Sequence, residues 1–426
     1  MRVIARSRQV AVGLALCTAL LLTQGLPAGS PGSANLTVHE WGTFLSVQGS
    51  DGETLGGMVD SEEVLPAFVD MRGVPTWERS MILMKMETPV TYFYTDRPRD
   101  IRVQVNMPKG LLSHWYPSVR TYGPSLTAKT TKPAESFLEW RKITVIPQAV
   151  AQRGQEPPAV AKESTWRFAR ETDSALVKIH TWHRVNGNAE IKETDQYEKF
   201  LFYRGLGTFT FPLRVRSSDG SGGATTLLLE NHGNLPLRNL FAVQVEGNGI
   251  RFAALGDLSA NGQRDVHSQL AFSAARPLAD GVPEVKSAVA QALTASGLYP
   301  KEAQAMVNTW ERSYFHTDGL RILYVLPRES VDETIPIRIE PKPMELVRVM
   351  VGRVEVLTPA RERQIAGFVA QLGPDAIPTR EAASNGLARL GRLSEPALRR
   401  VLATAGDPEV RARAQTLIDR VGSGAK

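Results

Sequence analysis

Histidine is the residue type on which catalytic or metal chemistry in this chain would have to rest. The sequence contains seven histidines and a single cysteine, Cys17. That cysteine lies in an apolar N-terminal segment that we expect to be removed, which leaves a cysteine-free mature chain. Such a chain cannot form disulfides, thiolate zinc sites or iron–sulfur clusters, and it has no cysteine nucleophile. Candidate sites therefore combine histidines with carboxylates.

The first candidate is His39-Glu40, in the string LTVHEWGTF. The zinc-protease pattern needs a second histidine three residues after the glutamate, and Thr43 stands there instead. Successive side chains of a β-strand point to opposite faces, so His39 and Trp41 are predicted on one face and Glu40 on the other. His39 and Glu40 could meet at one site only across a β-bulge, which Gly42 would allow. Both residues are catalytic candidates, with a structural role as the favoured alternative.

His180 and His183 form the candidate metal pair. Their spacing suits two ligands on one face of an α-helix. The alternation of Val177 and Ile179 with polar neighbours predicts a strand instead, in which positions i and i+3 face opposite ways. No motif indicates a cofactor, and a divalent metal at these two histidines is the one cofactor that the residues suggest.

Two loop positions complete the catalytic candidates. His232 lies in the string ENHGN after an apolar strand, and residues that follow strands often take part in catalysis. The alternative is a surface turn in which Gly233 adopts positive φ. Asp51 lies in an acidic loop, Gly49 to Glu63, which lacks the residue pattern of a calcium-binding loop. The sequence contains no serine-hydrolase elbow, P-loop or dinucleotide-binding glycine pattern.

A group of large side chains supplies the candidate binding residues, which are Trp41, Trp115, Tyr116 and Arg204. If exposed, the aromatic residues could form a stacking platform for a glycan or a peptide. The default is that such residues belong to the core. Arg204 has a second predicted role, because Lys85 and Glu87 share one face of an apolar strand. If that strand is internal, they would need to pair with each other or with a partner such as Arg204.

The N-terminus predicts export. Basic residues precede an apolar run from Val10 to Leu22, which is too short to span a membrane and has the length of a signal-peptide core. We place the signal peptide at residues 1–34 and expect a periplasmic or secreted protein with no membrane span after its removal. The formal net charge is +6, and three of these charges are arginines of the signal peptide. The remaining charges are mixed along the chain, so nucleic acid is not an expected partner.

The pattern of elements predicts several domains. Short strands separated by turn residues dominate residues 35–275 and predict a mainly β, sandwich-like body. Residues 276–357 mix helical and strand patterns and predict an α+β segment. Residues 358–426 are predicted to be helical, with a helix that begins at Thr358-Pro359.

The final segment resembles the short HEAT-like helical repeats of many bacterial proteins. The matching residues are Arg380-Glu381-Ala382-Ala383, Leu390-Gly391, Pro396-Ala397-Leu398 and Asp407-Pro408-Glu409-Val410-Arg411. The resemblance implies a surface for a protein partner. It equally implies a cap packed on the preceding segment, because so few repeats cannot stand alone.

The preceding residues resemble a group of uncharacterised exported bacterial proteins that open with a His-Glu-Trp-Gly-Thr-Phe string. That resemblance implies export and no particular activity. We therefore expect an exported bacterial binding or assembly protein of unknown ligand, with the helical end as a docking surface. The alternative is an exported hydrolase that uses histidine and carboxylates, with or without a metal.

Spatial convergence distinguishes these two functions. If the protein is a hydrolase, at least three of five candidate residues should meet in one cleft. These residues are His39, His180, His183, His232 and Asp51.

Overall fold

The computed structural model describes most of the chain that follows the predicted signal peptide. The described residues are 35–58, 64–72, 81–126, 135–185, 190–220, 225–267, 272, 274–373 and 376–422. Residues 1–34 lie outside these ranges. Side chains are not described for residues 182–185, 190–192, 421 and 422.

More of the described residues lie in strands than in helices. The predicted mainly β character, with helices at the C-terminus, is confirmed. In chain order the strands are β1 (Leu36–Gln48), β2 (Thr54–Leu55), β3 (Asp70–Met71), β4 (Met84–Thr95), β5 (Arg99–Met107), β6 (Gly110–Tyr116), β7 (Thr121–Gly123), β8 (Ser136–Ile146), β9 (Leu176–Val185), β10 (Glu190–Glu198), β11 (Leu201–Gly207), β12 (Leu213–Asp219), β13 (Thr225–Asn231), β14 (Leu237–Glu246), β15 (Gly249–Leu258), β16 (Gln263–His267), β17 (Arg276–Pro277), β18 (Gly319–Val325), β19 (Ile337–Glu340) and β20 (Glu345–Val356).

Helices lie mainly in the last third of the chain. They are α1 (Trp166–Ala169), α2 (Leu278–Ala295), α3 (Pro300–Thr309), α4 (Arg328–Thr334), α5 (Pro359–Ala370), α6 (Ile377–Leu390), α7 (Glu395–Thr404) and α8 (Pro408–Gly422). No helix in the described ranges is long and apolar enough to cross a membrane.

The strands form three sheets. An 11-stranded sheet has the order β17-β15-β14-β18-β20-β1-β4-β11-β6-β3, with β2 paired to β1. A six-stranded sheet has the order β10-β9-β8-β5-β19, with β7 paired to β8. A three-stranded sheet has the order β12-β13-β16.

Strand β1 lies in the middle of the large sheet, and it joins segments that the sequence predicted to be separate. It pairs in parallel with β20 along its whole length and antiparallel with β4. Strands β18 and β20 come from residues 276–357, so the large sheet draws its strands from both sides of residue 275. Local alternation does not show which strands become neighbours.

Both faces of the large sheet are covered by apolar packing. On one face, Val38 and Phe44 of β1 belong to a core that also holds side chains of the six-stranded sheet, such as Trp140. On the opposite face, Trp41 packs in a core with side chains of α2 and α3, such as Val289. Since β1 contributes to both cores, nearly all of its residues are buried.

A β-bulge interrupts the β1–β4 ladder at Gly42. The register jumps between Trp41 and Thr43, and β4 accommodates the extra residue around Thr88, which has φ of 48°. A Cβ atom on Gly42 would lie 2.9 Å from Cα of Pro89, so the close approach of the two strands requires glycine there.

The C-terminal helices pack on one end of the large sheet. Helix α5 begins at Pro359, as predicted, and the Thr358 hydroxyl accepts a hydrogen bond from the Arg361 backbone N–H at 3.3 Å. Leu45 and Val47 of β1 share a core with residues of these helices. Nε of Arg399 donates to the Gly57 carbonyl at 2.6 Å, which ties α7 to the loop after β2.

Candidate functional site

An open cleft forms beside β8, where its neighbours β7 and β9 diverge from each other. Strand β5 pairs with one edge of β8 along most of its length. Strand β7 occupies the other edge at residues 137–139, and β9 occupies the same edge from residue 143 onward. Residues 140–142 therefore lie between two partners that diverge, which leaves a gap in the sheet at this point.

The resulting cleft has a volume of about 850 Å³, and most of the residues that line it carry a polar group. Its basic residues are Arg120, Arg141, Lys142 and Lys178, and its carboxylates are Asp70 and Asp195. His180, Ser118, Thr144 and Thr181 add further polar groups, and Val119, Trp140 and Ile179 supply apolar surface. Clefts of this size with convergent polar groups are the usual form of a binding site for a small ligand.

One edge of the cleft carries a histidine–aspartate–lysine cluster. His180 and Asp195 are directly opposite each other on β9 and β10, and His180 Nδ1 lies 2.9 Å from Asp195 Oδ1. Lys178 Nζ lies 2.9 Å from Asp195 Oδ2. The hydrogen bond from Lys178, with a smaller contribution from His180, lowers the pKa of Asp195. The carboxylate in turn raises the pKa of Lys178.

The surroundings of this cluster suit binding better than nucleophilic catalysis. His180 Nε2 lies 3.5 Å from the carboxylate of Glu193, so the imidazole stands between two acids. A catalytic triad instead directs this nitrogen to a hydroxyl nucleophile. The side chain of His180 is 49% exposed, which leaves it accessible to a ligand in the cleft.

The predicted metal pair is only partly described. The backbone of His183 pairs with Lys192 on β10, but its side chain lies outside the described part of the structure. The pair His180–His183 therefore stays a prediction. Among the described residues, no group of three or more His, Cys, Asp and Glu side chains is arranged to hold a metal ion.

His39 lies on the same face of β1 as Trp41, as the alternation predicts, and helices cover that face. Its Nδ1 lies 2.7 Å from Oε2 of Glu302 on α3, and the hydroxyl of Tyr94 donates to Oε1 at 2.7 Å. The backbone N–H of Tyr299 also donates to this carboxylate, at 2.7 Å. His39 is 1% exposed, and among the described residues its Nε2 has no hydrogen-bond partner. The pair fastens α3 to the sheet and is closed to solvent.

Glu40 lies on the opposite face, so the bulge at Gly42 does not bring it to His39. Nε of Arg348 donates to its Oε2 at 2.6 Å, and the hydroxyls of Thr91 and Tyr203 donate to Oε1, Thr91 at 3.2 Å. Burial would lower the pKa of Arg348, but the Glu40 carboxylate raises it above its usual value. Glu40 is 0% exposed and fully paired, which is the geometry of a structural ion pair.

The loop candidates lie apart from these pairs. Asp51 is exposed, and its carboxylate accepts the backbone N–H of Glu53 at 2.9 Å. His232 is exposed in the turn after β13, where its backbone N–H donates to the Pro212 carbonyl at 2.9 Å. Neither residue contacts His39 or His180. The side chain of His183 is not described, and the other four residues that test for a hydrolase do not converge in one cleft.

The predicted binding residues lie in the core. Trp41 is 0% exposed, Trp115 4%, Tyr116 2% and Arg204 2%. A ligand could stack on these rings only if the core opened, so they do not form an exposed aromatic platform. Their burial follows from the packing that covers both faces of the large sheet, to which their strands β1, β6 and β11 belong.

Lys85 and Glu87 do form the buried pair that the sequence predicts. Lys85 Nζ lies 2.6 Å from Glu87 Oε1, and both side chains are 1% exposed. Burial lowers the pKa of Lys85, and the nearby charge of Arg204 lowers it further. His114 pairs with Arg204 in the β6–β11 ladder, and burial together with Arg204 and Lys85 lowers the pKa of His114 to about 3.

Sequence reasoning missed most of the cleft, including Arg120, Arg141, Lys142 and Asp195. One signal was available in SFLEWRKITVI, the sequence of β8. Its apolar alternation slips by one residue at Arg141-Lys142, which is the mark of a bulge. The pairing of Asp195 with His180 could not be predicted from the sequence, because it depends on the register of β9 against β10.

Comparisons with known proteins identify no family. Neither a protein-family model nor a curated protein matches the sequence. Among solved structures, the chain is similar to the yeast delta-COP-I mu-homology domain complexed with a Dsl1 WxWxV peptide, with 8% identity, coverage of 77% of this chain and 100% of that chain, and a TM-score of 0.26. The same domain without the peptide gives 8% identity, 78% and 100% coverage, and a TM-score of 0.27. Scores this low do not establish a common fold.

Proposed function

We propose that this chain is an exported bacterial binding protein whose ligand occupies the cleft beside β8. In this proposal the β-rich body is sandwich-like and presents the cleft. The helices α5 to α8 are a HEAT-like cap on the end of the body. Export rests on the signal-peptide pattern of residues 1–34.

The observation that carries this function is the cleft itself. Its volume of about 850 Å³ lies within the range of small-ligand sites. Polar side chains from four strands, β3, β8, β9 and β10, and from the loop between β6 and β7 converge on it, and His180 and Lys178 are held in place by Asp195. Fixed polar groups on sheet strands are suited to recognition because they lose little freedom when a ligand binds.

The hydrolase alternative has less support. It requires histidines and carboxylates to meet at a solvent-accessible point. His39 and Glu40 are buried on opposite faces of β1, and His180 is flanked by acids. The two functions differ in their expected metal content. A stoichiometric transition metal in the purified mature protein would support the hydrolase.

The helical end supports the cap interpretation more directly than the docking interpretation. Its apolar residues share a core with Leu45 and Val47, and Arg399 bonds the Gly57 carbonyl. A segment held in this way seals the end of the sheet. A protein partner would have to bind the outer surface of these helices.

The proposed function can be tested by blocking the cleft. The mature chain is screened by thermal shift against panels of oligosaccharides and short peptides, and hits are measured by calorimetry. Thr144→Tyr places a bulky ring in the cleft, whereas Thr226→Tyr adds the same ring on the separate three-stranded sheet. We expect the first variant to lose binding and the second to retain it.

Equal binding by both variants would reject the cleft as the site.

Export is tested separately by fractionating a bacterial host that expresses the tagged full-length chain. Retention of the unprocessed chain in the cytoplasm would contradict export.

A further inference from the structure

The bulge in β8 presents two adjacent basic side chains on the same side of the sheet. Ile101 pairs with Ile143 while Val103 pairs with Trp140, so β8 contains one extra residue in this interval. Trp140 and Ile143 are buried, whereas Arg141 and Lys142 between them are both exposed. In a regular strand one of two consecutive residues would point into the core. Bulges of this kind redirect side chains next to functional sites.

The residues that line this cleft include more basic side chains than carboxylates. Four basic side chains line it with two carboxylates, Asp70 and Asp195, while Glu193 and Asp100 contact the lining residues His180 and Thr144 from outside. Asp195 is already engaged by Lys178 and His180. Arg141 contacts Glu139 at 3.0 Å, but Glu139 also pairs with Arg102.

Lys142 is the clearest source of this surplus. No carboxylate contacts its ammonium group among the described side chains. A lysine that is accessible and not engaged by an acid can offer all of its N–H donors to an anionic ligand. A cleft with this charge therefore favours a ligand that brings negative charge.

The cleft also offers partners for neutral hydroxyl groups. Ser118 and Thr144 line it beside the basic residues, and Asp70 supplies a carboxylate acceptor. The Thr144 hydroxyl donates to Asp100 at 2.6 Å, so it can serve a ligand as an acceptor. A chain of amino acids would present mainly amides to these groups. A sugar acid presents carboxylates and hydroxyls together, which matches the mixture of basic and hydroxyl-bearing side chains.

We infer that the cleft binds a short acidic oligosaccharide, with a ligand carboxylate held by Lys142 and Arg141. This inference rests on the proposed function and specifies its ligand class. The carboxylate would accept charge-assisted hydrogen bonds from the two basic side chains, which are about twice as strong as neutral ones. The ligand hydroxyls would bond with the threonine, serine and aspartate side chains of the cleft.

The test is calorimetric titration of the mature protein with trigalacturonate and with its neutral counterpart, galactotriose. We expect trigalacturonate to bind at least about tenfold more tightly, the equivalent of one charge-assisted hydrogen bond. Binding should weaken several-fold between low salt and about 0.5 M NaCl, since exposed charges are screened. A hexaglutamate peptide serves as an acidic ligand without hydroxyl groups.

Lys142→Ala should weaken trigalacturonate binding by about tenfold. The matched control is Lys162→Ala, which removes an exposed lysine outside the cleft and should leave binding unchanged. Equal losses in the two variants would indicate general charge attraction and would overturn the inference.

The outcomes separate this inference from the proposed function. Equal binding of galactotriose and trigalacturonate, blocked by Thr144→Tyr, would overturn the acidic ligand and keep the cleft as a binding site. Tighter binding of hexaglutamate than trigalacturonate would overturn the sugar acid and favour a peptide. If none of the three probes binds, the inference fails, while the wider ligand screen still decides the function.

Discussion

Two histidine–carboxylate pairs in this molecule have nearly the same geometry and opposite surroundings. His39 lies 2.7 Å from Glu302, and His180 lies 2.9 Å from Asp195. The first pair is enclosed between the large sheet and α3, with His39 1% and Glu302 0% exposed. The second is at the edge of an open cleft, with His180 49% and Asp195 31% exposed.

The comparison shows that solvent access, rather than residue type, separates a structural pair from a candidate binding pair. The Glu302 carboxylate accepts three hydrogen bonds from protein groups, so the pair binds β1, β4 and α3 together. Asp195 instead fixes the positions of Lys178 and His180 while both remain accessible to a ligand. We therefore expect mutations at the first pair to change stability and mutations at the second to change binding.

The largest expected effect is that of Glu302→Ala. The variant leaves His39 Nδ1, the Tyr94 hydroxyl and the Tyr299 backbone N–H without their buried acceptor. We expect the free energy of unfolding to fall by about 3–5 kcal/mol. Urea denaturation followed by circular dichroism measures this change.

The control for Glu302→Ala is His180→Ala in the open pair. Because that side chain is half exposed, the free energy of unfolding should change by less than about 0.5 kcal/mol. Comparable losses in the two variants would remove the distinction between the pairs.

His114 provides an intermediate test, because it is partly buried beside Arg204 and Lys85 and contacts no carboxylate among the described side chains. Its pKa is about 3 in the folded chain, against about 6.5 in an unfolded one. Between these values the unfolded chain binds more protons, so the stability present above pH 6.5 is lost as the pH falls.

His114→Gln should remove this dependence. Between pH 7 and about pH 4.5, the wild type should lose on the order of 2 kcal/mol more unfolding free energy than the variant. Urea denaturation at both pH values measures the difference. The same pH dependence in both proteins would show that His114 titrates normally.

A small effect on stability is expected for Asp195→Asn, which keeps a hydrogen-bond acceptor for His180 and removes the charge. The free energy of unfolding should fall by less than about 1 kcal/mol, as for other exposed ion pairs. At low salt, trigalacturonate should bind a few-fold more tightly because the cleft becomes more positive. A loss of affinity of about tenfold, measured by calorimetry, would contradict this prediction. It would indicate that the Asp195 carboxylate contacts the ligand.

Local patterns predicted the parts of the fold that depend on neighbouring residues. The alternation in LTVHEWGTF predicts that His39 and Glu40 lie on opposite faces of β1. In the structure, His39 contacts Glu302 on one face and Glu40 contacts Arg348 on the other. The helix start at Thr358-Pro359 and the pairing of Lys85 with Glu87 followed from equally local signals. The bulge in β8 is less local, because it depends on how this strand pairs with β5.

The candidate site was less predictable than the fold. His180 was singled out as a metal ligand, yet its described partner is Asp195 on the next strand. The aromatic residues proposed for binding are core residues, because the strands that carry them are covered on both faces. Only the pairing of distant strands reveals which side chains line a cleft.

The sequence by itself determined a mainly β chain with a helical end and the two faces of β1. Side-chain direction along a strand repeats every two residues, so it can be predicted without reference to the rest of the chain. The tertiary structure alone decided that His39 meets Glu302, 263 residues away, and that β7 and β9 share one edge of β8. Those choices arise from the packing of whole sheets and helices. A string such as HEWGTF therefore fixes where its side chains point but not what they contact.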